Sequence, residues 1–160
     1  MFEELAAAAR QSRSAFLTGL VSLEIDIANI RTFMRARFAG VPAVEALARM
    51  LDGGAIRTAE LGKLYVLAPA EVATRLAALP ALRGISPADL ADVSRLDVLA
   101  DNVLVAYLRK ARMVPIGPEP VIAYVMGREA EVAAVRTLLI GRLSGLSTEV
   151  LRRRTRDLYV

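Results

Sequence analysis

Residues 24–41 and 129–146 are two copies of one stretch, EIDIANIRTFMRARFAGV and EAEVAAVRTLLIGRLSGL. At a constant offset of 105 residues, Glu24 matches Glu129, Ala28 matches Ala133 and Arg31 matches Arg136. Thr32 matches Thr137, Arg37 matches Arg142 and Gly40 matches Gly145. Other pairs keep their character: Asp26 with Glu131, Ile27 with Val132, Ile30 with Val135, Met34 with Leu139. A ladder of identities without a gap marks an internal repeat, and a repeat constrains a fold more than local propensity does. On a helix, at about 100° per residue, Glu24, Ala28, Arg31 and Thr32 fall within roughly 100°. The identities therefore form one stripe of a helix.

The second copy lies in residues 115–146, behind a proline gate. Gly117-Pro118-Glu119-Pro120 cannot continue a helix from upstream, because proline removes a backbone donor and restricts the residue before it. Proline is tolerated in a first helical turn, and Glu119 suits the positive end of the dipole. Val121, Val125, Val132, Val135, Leu139 and Leu143 then recur mostly at spacings of three and four, which predicts a long helix with that face buried. Gly145 provides a left-handed stop, and Ser147 caps a short final helix over about 148–157.

Upstream the pattern is helical throughout. Residues 2–11 form a first helix by propensity. Ser12 or Ser14 caps a long second one to about Ala39, with Phe16, Leu20, Leu23, Ile27, Ile30 and Met34 apolar. Further helices are expected from Pro42 to about Leu51, over 56–67 after the Gly53-Gly54 break, and from Pro69 to about Leu79. Pro80–Ile85 reads as a connector. Ser86-Pro87-Ala88-Asp89 starts a helix running to about Arg112. The run at 64–68, LYVLA, is the one weak strand candidate. The fold class is all-α, organised as two helical repeat units, 1–85 and 86–160. Phe33 and Phe38 are expected in the core.

The second copy has a full helix, 87–112, ahead of its gate. At the same offset Phe2 pairs with Tyr107 and Ala6 with Ala111, so the first copy retains only the last turns of an equivalent helix. This predicts a fragment, or a shortened version, of something longer. Self-association through the incomplete N-terminal unit would then cover the exposed apolar surface.

Composition narrows the chemistry. The chain is 160 residues long and 55% hydrophobic, with 21 basic and 17 acidic residues, and its mean hydropathy is +0.42. No apolar run approaches the roughly 18 residues that cross a bilayer, and the start MFEELAAAARQSR lacks an apolar signal core. With no Cys and no His, thiolate nucleophiles, disulfides and imidazole chemistry are excluded, and a reducing compartment fits. Asp97 with Asp101, and Asp89 with Asp92, sit about one turn apart and could flank a cation; solvated helix faces are the simpler reading. No Gly-Lys-Ser or Gly-Lys-Thr follows Gly53-Gly54, so no phosphate loop is expected. Neither a catalytic residue, a metal ligand nor a cofactor site is predicted.

Arg152, Arg153, Arg154 and Arg156 crowd the last helix, where cations complement the negative end of the dipole. A solvated helix end and contact with an acidic partner are the two readings. Arg35, Arg37 and Arg112 read the same way. Nucleic acid is disfavoured, because the patch lacks interleaved aromatic residues and no groove-reading motif accompanies it.

Residues 117–160 resemble the C-terminal end of the C subunit of the prokaryotic V-type (A-type) ATP synthase, the counterpart of the d subunit in eukaryotes. The similar features are Gly117-Pro118-Glu119-Pro120 followed by Tyr124, then Arg128-Glu129-x-Glu131, Arg136 in a Leu-rich run, Gly145-Leu146 and the closing Leu158-Tyr159-Val160. DIANIRTFMRARFAG at 26–40 also resembles the family's inner repeat, with Asp26, Asn29, Arg31, Arg35, Arg37 and Gly40 in place. The resemblance implies a funnel of three pseudo-symmetric helical units, of which two are present here. It implies a non-catalytic central-stalk component that seats the rotor shaft on the membrane proteolipid ring and couples ATP turnover to proton or sodium transport. The implied partners are the central shaft proteins and the proteolipid ring, and the implied place is the cytoplasmic face of the membrane, peripheral to it. A helical adaptor binding an acidic protein or nucleic acid is the alternative. Under either reading Glu24, Arg31, Arg35, Arg37, Glu129, Arg136 and Arg142 are the candidate interaction residues. Two accounts of the Glu–Arg stripe stay open: a polar lining that meets a partner, or a charge pair held between units.

Overall fold

The Ser14 side chain starts the longest helix of the N-terminal half by accepting the Leu17 N–H at 3.2 Å. The structure, a computed structural model, describes residues 2–159, without the side chains of Val93 and Ser94. It is all-α, and no strand is present among the described residues. The elements are α1 (Phe2–Gln11), α2 (Ala15–Phe38), α3 (Ala43–Ala48), α4 (Thr58–Tyr65) and α5 (Pro69–Ala77). Then follow α6 (Pro87–Ala91), α7 (Val93–Leu108), α8 (Pro118–Leu143) and α9 (Thr148–Arg154), with 3-10 turns at Pro80–Leu82 and Arg109–Met113. By packing, the chain divides into two units, Met1–Leu96 and Asp97–Val160.

Several expected boundaries move. The helix expected from Ser86 to Arg112 is interrupted at Asp92, whose backbone is extended (φ −92°, ψ 100°). The LYVLA run is helical to Tyr65 and then turns, leaving Val66 exposed. Phe33 is fully buried as expected, but Phe38 is 84% exposed. Phe38 is the last residue of α2, beyond the segment covered by neighbouring helices.

In the first unit, α2 is the central element. Ile30, Phe33 and Met34 form one core with Ile56, Leu61, Val72, Ala73, Leu76, Leu82, Leu90 and Leu96. The helices from α3 to α6 thus close over one side of α2. Two polar side chains of α2 are buried with that core, Asp26 at 2% exposure and Asn29 at 1%. Asn29 makes a two-way contact with Leu51: its Nδ2 donates to the Leu51 carbonyl and its Oδ1 accepts the Leu51 N–H, both at 2.8 Å. The Asp26 carboxylate accepts the N–H groups of Ala55 (3.2 Å) and Ile56 (2.9 Å). The loop between α3 and α4 has no helical ladder of its own, so these side chains supply partners for its backbone, including the buried Ile56 N–H. Gly54 is required there, because a Cβ at that position would collide with the Asp26 carboxylate.

In the second unit the long helix faces the opposite way from expectation. Val121, Val125, Val132, Val135, Leu139 and Leu143, read as the buried face, are all exposed, from 50% to 88%. The buried residues of α8 are Ala123, Gly127, Ala134 and Gly141. At about 100° per residue those four fall within roughly 40° of one another, on the side opposite the Val–Leu stripe. Small residues let another element approach the helix backbone closely. Gly127 packs beneath the Tyr159 ring and Gly141 beneath Leu151, and a Cβ at either would collide with those side chains. The returning tail is fastened by polar contacts to the end of α7 and beyond. Asn102 Oδ1 accepts the Asp157 N–H at 2.8 Å, Arg156 pairs with Asp101, and Arg109 and Arg112 donate to the carbonyls of Leu158 and Tyr159. The Arg112 guanidinium also lies over the Tyr159 ring, 4.9 Å from its centre.

Removing the Asp26 carboxylate leaves the buried Ile56 N–H without its acceptor, at about 1–3 kcal/mol, and also strips the part-buried Ala55 N–H of its partner. Asp26→Ala should lower unfolding free energy by about 3 kcal/mol, measured by urea titration followed by circular dichroism.

Candidate interaction site

The repeat delivers its matching residues to equivalent places on α2 and α8, but the two copies use them differently. Glu24 and Arg31 of α2 are half-buried, whereas Glu129 and Arg136 of α8 are exposed. Burial pushes the Glu24 carboxyl above the usual carboxylate range. Arg35 is exposed on α2. Arg37, expected at a solvated helix end or an acidic partner, is committed inside the first unit. It donates to the carbonyls of Leu64 (3.2 Å), Tyr65 and Leu67 (2.8 Å). Leu64 and Tyr65 are in the last turn of α4 and Leu67 lies just past it, where a cation complements the dipole. Its guanidinium lies 5.9 Å from the Phe33 ring centre and 5.7 Å from that of Tyr65. The two rings meet edge to face at 5.4 Å. Its repeat equivalent, Arg142, is exposed near the end of α8.

On α8 the exposed stripe forms a shallow, open depression lined by Tyr124, Val125, Arg128, Glu129, Val132, Ala133 and Arg136. Arg128 pairs with Glu131 one turn on. Among the described residues, Glu129 and Arg136 have no ion-pair or hydrogen-bonding side-chain partner. The depression is an apolar strip with a carboxylate and a guanidinium set into it.

The remaining charged clusters are spent on structure. Asp101, weighed as half of a cation site, pairs with Arg156, and Asp89 pairs with Arg95. Among the described residues, no three His, Cys, Asp or Glu side chains gather as a metal cage. Gly53-Gly54 lies against Ile25 and Asp26 of α2. Of the four C-terminal arginines, Arg153 pairs with Glu149 on α9 and Arg156 with Asp101, while Arg152 and Arg154 are exposed. No described helix is long and apolar enough to cross a membrane.

Sequence reasoning placed Asp26 and Asn29 within the repeat without a role. The signal was available: two short polar residues three apart, inside an Ile-rich buried stretch, upstream of a Gly-Gly loop. Buried polar residues so placed must bond to something, and a loop backbone is the usual partner.

These features define an all-α, helical-repeat protein with an exposed apolar face on α8. The chain belongs to the ATP synthase (C/AC39) subunit family, whose model matches residues 1–154. It is 26% identical over 148 residues to the C subunit of the A-type ATP synthase of Methanococcoides burtonii, covering 89% of this chain and 42% of that protein. It is 27% identical over 147 residues to the corresponding A-type ATP synthase protein of Methanosarcina barkeri, covering 89% and 40%. Over 68 residues it is 32% identical to the C subunit of the V-type sodium ATPase of Enterococcus hirae, covering 42% and 21%. The chain thus spans about two fifths of the length of the archaeal relatives. No solved structure matches it.

Two outcomes test these side-chain roles. Arg37→Ala should cost about 2 kcal/mol of stability, because three part-buried carbonyls lose charge-assisted bonds. Arg142→Ala should change it by less than about 0.5 kcal/mol. Denaturant melts of both variants decide this. Glu24, with its folded pKa raised, binds protons more readily folded than unfolded. Its contribution is therefore complete below its ordinary value of 4.5 and is lost as pH rises through the folded value. The stability of wild type relative to Glu24→Gln should fall as pH is raised from 4.5, read from paired unfolding curves.

Proposed function

We propose that this chain is a non-catalytic central-stalk piece of a rotary, V-type or A-type, ATP synthase. It acts as part of the socket that joins the central shaft to the membrane proteolipid ring, peripheral to the membrane on the cytoplasmic side. The observation that carries this reading is the family match over residues 1–154, together with the relatives, which are C subunits of an A-type ATP synthase and of a V-type sodium ATPase. The geometry is compatible with it. The fold consists of packed helices, and among the described residues α8 carries a continuous exposed apolar stripe suited to another helix. Torque transmission needs stiff elements and docking surfaces, and it requires no bond-making chemistry in this chain. The ion carried by the parent machine, proton or sodium, is a property of the ring.

Purified chain mixed with the central shaft proteins of a rotary ATP synthase should form a complex at physiological salt, detected by pull-down and light scattering. With detergent-solubilised proteolipid ring it should co-elute, and on its own it should hydrolyse no ATP. Salt-labile binding to polyanions, with no binding to shaft or ring, would point instead to the adaptor reading.

A further inference from the structure

We infer that the exposed face of α8 is a self-complementary dimer interface, on which a second copy of this chain docks antiparallel. Three observations lead there. First, the equivalent face of the repeat is covered in the other copy: Leu20, Ile27, Ile30 and Met34 of α2 are 9% exposed or less. Their partners at the repeat offset, Val125, Val132, Val135 and Leu139, are at least 50% exposed. The same pattern is thus a buried seam in one unit and an open one in the other. Such a stripe, running for about 33 Å from Val121 to Leu143 at 1.5 Å per residue, is long enough to seat a second helix.

Second, the face carries its own charge complement. Glu129 and Arg136 project from the stripe two turns apart, exposed and without a partner among the described residues. An antiparallel pair with its two-fold axis between residues 132 and 133 sets Glu129 against the partner's Arg136 and Arg136 against the partner's Glu129. In a parallel pair the same residues would meet their like, at a cost. A two-fold contact satisfies both charges with one surface, as an isologous interface must.

Third, that register is also sterically and chemically suited. It sets Val132 beside the partner's Ala133, a small residue at the crossing, and Val125 against the partner's Ile140. Both Val125 and Ile140 are exposed apolar residues. The contact needs no other protein, so it stands independently of the coupling function proposed above.

The test is charge reversal and its repair in the full chain, read by sedimentation equilibrium across the micromolar range. Wild type should be a dimer. Glu129→Arg and Arg136→Glu should each weaken dimerisation by about tenfold or more, since each sets two like-charge pairs across the axis. The combined Glu129→Arg, Arg136→Glu chain restores opposite charges and should dimerise as wild type does. Both positions are exposed, so helical circular dichroism should be unchanged in all three variants. A wild type that stays monomeric overturns the inference, including one that is captured through α8 only by a shaft protein. A dimer indifferent to either single reversal, or one that the double reversal fails to restore, overturns it as well.

Discussion

The first unit depends on a helix that uses two of its buried positions for polar anchors. Asp26 and Asn29 face into the core of α2 and bind the backbone of Leu51, Ala55 and Ile56. A buried carboxylate is costly unless hydrogen bonds compensate it. Burial pushes Asp26 upward in pKa while the N–H groups of Ile56 and Ala55 pull the other way. These hydrogen bonds fix the path of one loop. Once 51–56 is held against α2, Ile56 enters the core, α4 can begin at Thr58, and Leu61 and the α5 residues Val72 and Leu76 close over Phe33. Arg37 then joins the far end of α2 to the end of α4. The helices around α2 are too short to be stable alone; contacts with α2 make them persist.

The second unit solves a related problem with different means. At the offset position of Asn29 stands Ala134, and Gly127 and Gly141 extend the same small stripe. In place of polar anchors, α8 offers a flat, bare side on which Tyr159 and Leu151 rest. The tail is then clamped by arginines and by Asn102. A repeated sequence has thus produced two helices covered to different extents: the side of Asn29 and Ala134 is buried in both, but the stripe of Leu20, Ile27, Ile30 and Met34 buried on α2 is open on α8. Among the described residues, the open face of α8 carries a long run of exposed large apolar side chains.

Much was legible beforehand because its causes are local. Helix starts at Ser14, Ser86 and Ser147 follow from hydroxyls that accept the N–H three residues on, and all three do so. Pro69, Pro87 and Pro118 open their helices because proline costs nothing where no donor is needed. The break at Asp92 was not legible, since nothing in PADLADVSRL forbids a continuous helix. The candidate stripe was only partly legible. Periodicity groups Glu24 with Arg31 on α2 and Glu129 with Arg136 on α8, but Arg37 and Arg142, matched in the repeat, differ in surroundings that periodicity does not encode.

The sequence by itself determined the all-α class, the repeat and the family, because helical period, capping and matched spacing are written within short windows of chain. Which side of a helix is covered was decided only by the tertiary structure. Apolar content marks a face as needing a partner, but on α8 close packing selected Ala123, Gly127, Ala134 and Gly141, where backbones can approach, for the partner within the chain. The larger Val and Leu side chains opposite them gain nothing from a neighbour the chain does not supply, so they face outward.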